Sequence, residues 1–167
     1  FGQRSQLWWD EPVRDSFDLL KDIYAIAPQQ YRRKLAELTG LLDVEGLLKT
    51  PARQLSLGQR MRCELVAALL HSPRILFLDE PTIGLDAVSK LALRAFLKAE
   101  NQRNGVTMLL TTHDMDDIEA LCSRVMVIGH GKLLYDGPME TLKTRYTTRE
   151  GQNIDEVIAA MYRQMAL

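Results

Sequence analysis

A chain of 167 residues, 46% hydrophobic and 26% charged, is long enough to bury a substantial core in about one domain. Its formal charge of −1, with acids and bases interspersed, offers no electrostatic footprint for nucleic acid or for an anionic membrane surface. No apolar run approaches the roughly 18 residues that span a bilayer and no leader-like segment opens the sequence, so a soluble, cytoplasmic chain is expected.

The opening segment, Phe1 to Asp10, carries Gln3, Gln6 and the adjacent Trp8 and Trp9. Neighbours in extended backbone face opposite ways, so one Trp is expected in the core and one toward a partner. Val13, Phe17, Leu20 and Tyr24 then recur at helical spacing, after a Pro12 that a first helical turn tolerates. A second helix opens at Pro28, with Tyr31, Leu35, Leu38 and Leu42 on one face, until Thr50-Pro51 breaks the pattern. The two helices form a small hairpin.

Ser56 suits the N-cap of a helix from Leu57 to about His71, and Gln59 can return the hydrogen bond as in a capping box. Met61, Leu65 and Ala68 give that helix an apolar face. Gly58 in its first turn is less favourable than Ala by roughly 0.5–1 kcal/mol, yet it lets a phosphate approach the backbone N–H groups closely. Ile75 to Leu78 is a continuous apolar run of the kind expected for a strand buried on both faces of a parallel sheet. It ends on Asp79-Glu80, then Pro81-Thr82. A helix from Asp86 to Arg103 follows, with Leu85, Val88, Ala92, Ala95 and Ala99 on one stripe and Asn104-Gly105 as its stop. The run Val106 to Leu110 completes a βαβ unit. Its right-handed crossover brings both strand ends to one edge of the sheet, where Asp79, Glu80 and His113 are expected together.

Asp114 can cap a short helix to about Leu121. Val125–Ile128 and Lys132–Tyr135, flanking Gly129-His130-Gly131, read as a strand, a tight turn and a strand. Pro138 begins another helix, and Ile154, Val157, Ile158 and Met161 mark a final amphipathic one. Cys63 and Cys122 lack a C-x-x-C partner and are expected as reduced, buried thiols. His71 reads as a helix C-terminal residue favoured by the dipole and His130 as a turn residue.

Asp79, at the end of a hydrophobic strand, is placed to hold Mg²⁺ directly or through water, and Glu80, facing the other side of the backbone, to polarise an attacking water as general base. An Asp-Glu dipeptide taken alone is a solvated surface pair. The apolar run before it, Pro-Thr after it and the capped helix just upstream give it its meaning. Leu55-Ser56-Leu57-Gly58-Gln59-Arg60, followed by Ile75-Leu76-Phe77-Leu78-Asp79-Glu80-Pro81-Thr82, resembles the ATP-binding subunit of an ABC transporter, and the resemblance covers almost the whole chain. Phe1 to Asp10 and Leu55 to Leu65 are similar to the ABC-2 type exporters.

That resemblance implies an α/β, partial P-loop NTPase (ABC ATPase) fold, with a parallel sheet core flanked by helices, a helical subdomain and a C-terminal β-hairpin. Residues 1–9 would form the Q-loop segment, 10–72 the helical subdomain ending in the signature, 73–150 the catalytic core with Walker B, D-loop and switch histidine, and 151–167 a C-terminal amphipathic helix. Glu80 and His113 would be catalytic. Gln3, with Gln6 as competitor, and Asp79 would meet Mg²⁺ through the nucleotide. Ser56, Leu57, Gly58 and Gln59 would contact the γ-phosphate of ATP held by a second ATP-binding subunit in a head-to-tail dimer, with Asp86 reaching across it. Leu57 stands where the family has its first signature Gly, which puts that one backbone approach in question. Transmembrane permease subunits would dock beside the helical subdomain at the inner face of the cell membrane, and nucleic acid is not expected as a partner.

No G-x-x-x-x-G-K-[ST] occurs in the sequence, so it reads as an ATPase truncated at its N-terminus and, by itself, a poor binder of ATP. Two other classes compete: a soluble ABC ATPase outside transport, which would be marked by a coiled-coil insertion or second cassette, and a non-catalytic module that docks a partner through the helical hairpin.

Overall fold

The computed structural model describes residues 5–129, 131–146 and 156–159, and the chain divides into two units, Phe1–Thr111 and Thr112–Leu167. In the first unit, α1 (Val13–Ile23) and α2 (Pro28–Leu41) are the two helices expected there. Val13, Phe17 and Leu20 on α1, and Tyr31, Leu35, Leu38 and Leu42 in or just after α2, are all buried, and both helices pack against the later helix Leu57–Leu69. The Tyr31 hydroxyl donates to Asp18 Oδ1 at 2.7 Å, and burial together with that carboxylate pushes the phenol well above its ordinary value. Tyr24 departs from the stripe, because α1 has ended at Ile23. It is half exposed and stacks on His71, ring centroids 4.0 Å apart and planes within 6°. Burial lowers the His71 pKa, so desolvation outweighs the dipole that the sequence suggested would favour its cation.

Two 3₁₀ turns, Glu45–Leu47 and Ala52–Gln54, lead into α3 (Leu57–Leu69). Burial, expected along one apolar face of α3, widens in its second half to every residue from Cys63 to Leu70, the charged Glu64 included. Burial pushes the Cys63 thiol up to about 12, and both cysteines are free. Cys122 is only half-buried, at the C-cap of a later helix and not within one.

β1 (Ile75–Asp79) and β2 (Thr107–Thr111) pair in parallel, Asp79 opposite Thr111, joined through α4 (Ala87–Asn104). This is the expected βαβ unit. Burial of β1 on both faces is not observed: Leu76 and Leu78 are buried, while Ile75 and Phe77 are 56% and 61% exposed. Side chains alternate across a strand, so Leu76 and Leu78 lie on a covered face and Ile75 and Phe77 on the opposite, open one. The stripe expected along α4 is also rotated. Leu93, Leu97 and Glu100 are the buried residues, whereas Val88, Ala92 and Ala95 are exposed. Val88 and Ala92 line an open groove of about 370 Å³ together with Gly58 and Met61. Glu100 is buried beside Lys34 of α2 (3.7 Å) and accepts from Asn104 at 2.7 Å, which is why a charged position lies on the inner face. Gly105 closes α4 with φ 63, a left-handed cap that glycine adopts without steric penalty.

In the second unit, α5 (Met115–Leu121) is followed by the antiparallel pair β3 (Arg124–Gly129) and β4 (Lys132–Pro138), then α6 (Met139–Tyr146). Ile118, Val125, Val127, Tyr135, Met139, Leu142 and Val157 form its core. Residues 156–159 are helical. His130, Ile154 and Met161 lie outside the described residues. The Tyr135 hydroxyl donates to Pro138 O at 2.7 Å, and a Cβ at Gly137 would come within 2.8 Å of that hydroxyl, so glycine there keeps the ring seated. No helix among the described residues is long and apolar enough to cross a membrane.

Candidate functional site

The acidic pair sits where β1 ends. Asp79 is exposed, and its Oδ1 accepts from the Thr111 hydroxyl at 2.6 Å, a contact set by their register across the strands. The Glu80 N–H donates to Thr111 O at 2.9 Å, extending the ladder by one residue, and the Glu80 carbonyl accepts from Ile83 N–H at 3.2 Å. Between those two bonds the backbone turns: Glu80 has φ 49. Simple strand alternation, the basis for expecting Glu80 on the opposite side from Asp79, therefore ends at Asp79. A non-glycine residue in this region carries strain of order 1–3 kcal/mol, and such residues cluster where function fixes the backbone.

The turn continues through Thr82, 1% exposed, whose carbonyl accepts from Leu85 N–H at 3.1 Å. Asp86 then caps α4, accepting the Ser89 N–H at 3.0 Å and the Ser89 hydroxyl at 2.6 Å. Those two donors hold the exposed Asp86 carboxyl below its ordinary range.

The start of α3 forms the capping box in full: Gln59 N–H donates to Ser56 Oγ at 3.2 Å, and Ser56 N–H to Gln59 Oε1 at 2.9 Å. Leu57 and Gly58, the first helical positions, have no intrahelical acceptor for their N–H groups. These N–H groups and the positive end of the helix dipole are what an anion would meet. Leu57 packs over the turn after β1. Gly84 has φ 70, which favours glycine there, and a Cβ would also lie 2.6 Å from Leu57 Cδ2, so the leucine side chain would have to shift. Gly58 faces Ser89, 3.4 Å from where its Cβ would stand. Ser56–Gln59 and Gly84–Ser89 are therefore one packed cluster, brought together within the first unit.

Gln3 lies outside the described residues. Gln6 is exposed, and its N–H donates to Glu64 Oε2 at 3.0 Å. Trp8 and Trp9 are both about half exposed, not one in and one out, because the chain is no longer extended there and its hydrogen bonds turn it along α1 and the Ala52–Gln54 turn. The Arg60 guanidinium lies 5.6 Å over the Trp9 ring. His113 is exposed and belongs to the second unit, just before Asp114, which caps α5 by accepting from Asp116 N–H at 3.1 Å. No group of three or more potential metal ligands occurs among the described residues, so a metal here would need phosphate or water oxygens beside Asp79. Sequence reasoning passed over Thr111, Ser89 and Glu64. Only Thr111 left a signal, since its register opposite Asp79 follows from aligning the two apolar runs.

A crossover unit with an acidic strand end beside a glycine-bearing, capped helix start is the architecture of a P-loop NTPase of the ABC ATPase type. A family model described as "AAA domain, putative AbiEii toxin, Type IV TA system" matches residues 5–116. The methionine import ATP-binding protein MetN 2 of Oceanobacillus iheyensis is 34% identical over 135 residues, covering 81% of this chain and 40% of that protein. MetN of Bacillus subtilis is 32% identical over 158 residues, covering 92% and 46%. The glucose import ATP-binding protein GlcV of Saccharolobus solfataricus is 38% identical over 117 residues, covering 70% and 33%. Among solved structures, the ATP-binding subunit of an ABC transporter superposes with a TM-score of 0.79 at 24% identity, over 93% of this chain and 64% of that one. CbiO1 of Clostridium perfringens, part of the ABC transporter complex CbiONQ, gives 0.72 at 24% identity over 96% and 60%. The chain belongs to the AAA-domain family, and the relatives it is similar to are ATP-binding subunits of ABC transporters. It spans less than half the length of the curated relatives named here.

Proposed function

We propose that this chain is the distal part of a subunit that binds and hydrolyses Mg-ATP to drive an ABC transporter. The observation that carries this reading is the end of β1: Asp79 held by Thr111, with Glu80 in left-handed backbone one residue beyond. In this reading Asp79, with Gln3, holds Mg²⁺ on the nucleotide, and Glu80 polarises the attacking water while His113 steadies it against the γ-phosphate. Ser56, Leu57, Gly58 and Gln59 receive the γ-phosphate of ATP bound by a second, head-to-tail subunit, and Asp86 couples the two sites. Residues 1–9, 10–72, 73–150 and 151–167 serve as Q-loop segment, helical subdomain, catalytic core and tail. The phosphate-binding loop is not among these 167 residues, so Mg-ATP should not raise the melting temperature of this chain alone. An excess of 100 times Kd would add about 2.7 kcal/mol to a competent site.

In the full-length protein, Glu80→Gln should lower ATP turnover roughly 10² to 10⁴-fold while nucleotide still binds. Turnover at the wild-type level would remove Glu80 from this role. Permease subunits are the proposed partners, holding the protein at the inner face of the membrane. For direction we propose export, supported by the resemblance of Phe1–Asp10 and Leu55–Leu65 to ABC-2 exporters. Import is the second reading, favoured by relatives named for methionine and glucose import. ATP-driven flux in inside-out vesicles carrying the native permease separates the two.

A further inference from the structure

Glu64, in the second half of α3, is only 6% exposed. A buried carboxylate is strongly unfavourable unless donors reach it. Both of its oxygens have one. The Ser5 hydroxyl donates to Oε1, and the Gln6 N–H donates to Oε2 at 3.0 Å. Ser5 Oγ in turn accepts from the Leu7 N–H at 3.1 Å, and Leu7 is buried. The chain then runs on under restraint: Trp8 N–H donates to the buried Ser16 Oγ at 2.9 Å, Arg53 N–H to Trp9 O at 3.0 Å, and Ala52 N–H to Glu11 O at 3.3 Å. The segment Ser5–Glu11 is therefore pinned to α3, to α1 and to the turn Ala52–Gln54, which opens directly into Ser56. Glu64 and Ser56 are eight residues apart on one helix, about 12 Å at 1.5 Å per residue. From Cys63 to Leu70 α3 is buried on all sides, so packing fixes that half, and the helix's own backbone ladder continues from it through the half-buried residues 58–62 to the capped start.

Resting on the ATPase reading above, we propose that Glu64 is a positioning residue. It locks the segment that follows Gln3 in sequence onto the buried half of the helix whose start carries Ser56, Gly58 and Gln59. Displacement of either end is then transmitted to the other through α3. An alanine at 64 breaks both hydrogen bonds, whereas glutamine keeps an acceptor for the Gln6 N–H.

Amide hydrogen exchange on the full-length protein without nucleotide reads the lock directly. Glu64→Ala should speed exchange at Gln6 and Leu7 about tenfold or more, with Leu35 of α2 unchanged as control, and Glu64→Gln should recover much of the protection. Unchanged exchange at Gln6 in Glu64→Ala overturns the proposal. Should Glu64→Ala not fold, Ser5→Ala leaves α3 intact and should raise Gln6 exchange about threefold; no rise overturns it as well. ATP turnover gives the second readout: Glu64→Ala should reduce kcat about tenfold with KM for Mg-ATP within about twofold, and Glu64→Gln should restore most of the rate. Full turnover in Glu64→Ala alongside raised exchange overturns the positioning role. A wild-type protein with no turnover at all counts against the ATPase reading, while the nucleotide-free exchange still decides the lock.

Discussion

The first turn of α3 and its second half are held by different forces. From Cys63 to Leu70 the helix is buried on every side, so packing fixes its place. Ser56 and Leu57 are exposed, and the first turn is held by a reciprocal pair of hydrogen bonds and by the contact of Leu57 with Gly84. The difference teaches how a helix can offer an end to a ligand without losing its position. Hydrogen bonds at a cap contribute about 1 kcal/mol and can rearrange locally, whereas a buried rod moves only as a whole.

The comparison breaks most easily in the buried half. Leu65 is fully buried, and Leu65→Ala should lower stability by about 2–5 kcal/mol in denaturant melts, the range for a leucine-sized cavity. A loss under about 1 kcal/mol would mean that this half is not core. Gly84→Ala should come next, at about 1–3 kcal/mol, since it adds both a strained φ and a clash with Leu57. The clash involves the end of a flexible side chain, so Leu57→Ala in the same protein should recover part of that loss, and no recovery would disconnect the two residues. Ser56→Ala should lower stability by about 1 kcal/mol, because it removes one arm of the capping box.

The smallest effect sharpens the contrast between caps. Hydrogen bonds from Ser89 lower the Asp86 carboxyl from its ordinary value of 3.8, so its folded pKa lies beneath its unfolded one. The stabilisation is therefore complete above the unfolded value and is lost as pH falls through the folded one. Asp86→Asn should flatten the acid limb of the melting curve below about pH 4 and leave neutral pH nearly unchanged. An acid limb identical to wild type would remove Asp86 from that linkage.

Helix starts were legible because caps are local chemistry: Ser56, Asp86 and Asp114 each precede a helix in the sequence as they do in the structure. Faces were less legible. On α4 two adjacent stripes satisfy the helical period, and the one chosen avoided a charged residue; Glu100 lies on the buried stripe because Lys34 and Asn104 meet it there, partners that no local pattern announces. On β1 the sequence marked an apolar strand, but exposure of Ile75 and Phe77 depends on what lies over the sheet. The candidate site divides in the same way. The Asp79-Glu80 pair and the capping box follow from neighbouring residues, while the Thr111 hydroxyl on Asp79 and the anchoring of Gln6 by Glu64 depend on tertiary pairing.

The left-handed backbone at Glu80 also has a consequence for protein engineering. Glycine occupies φ 49 without steric penalty, so Glu80→Gly would relieve backbone strain of order 1–3 kcal/mol against an entropic cost of glycine of roughly 0.5–1 kcal/mol, and a library screened for heat tolerance alone would be drawn toward it. Selection on melting temperature would thereby discard the one side chain on which proposed catalysis most depends, and thermal robustness and turnover would pull this position in opposite directions.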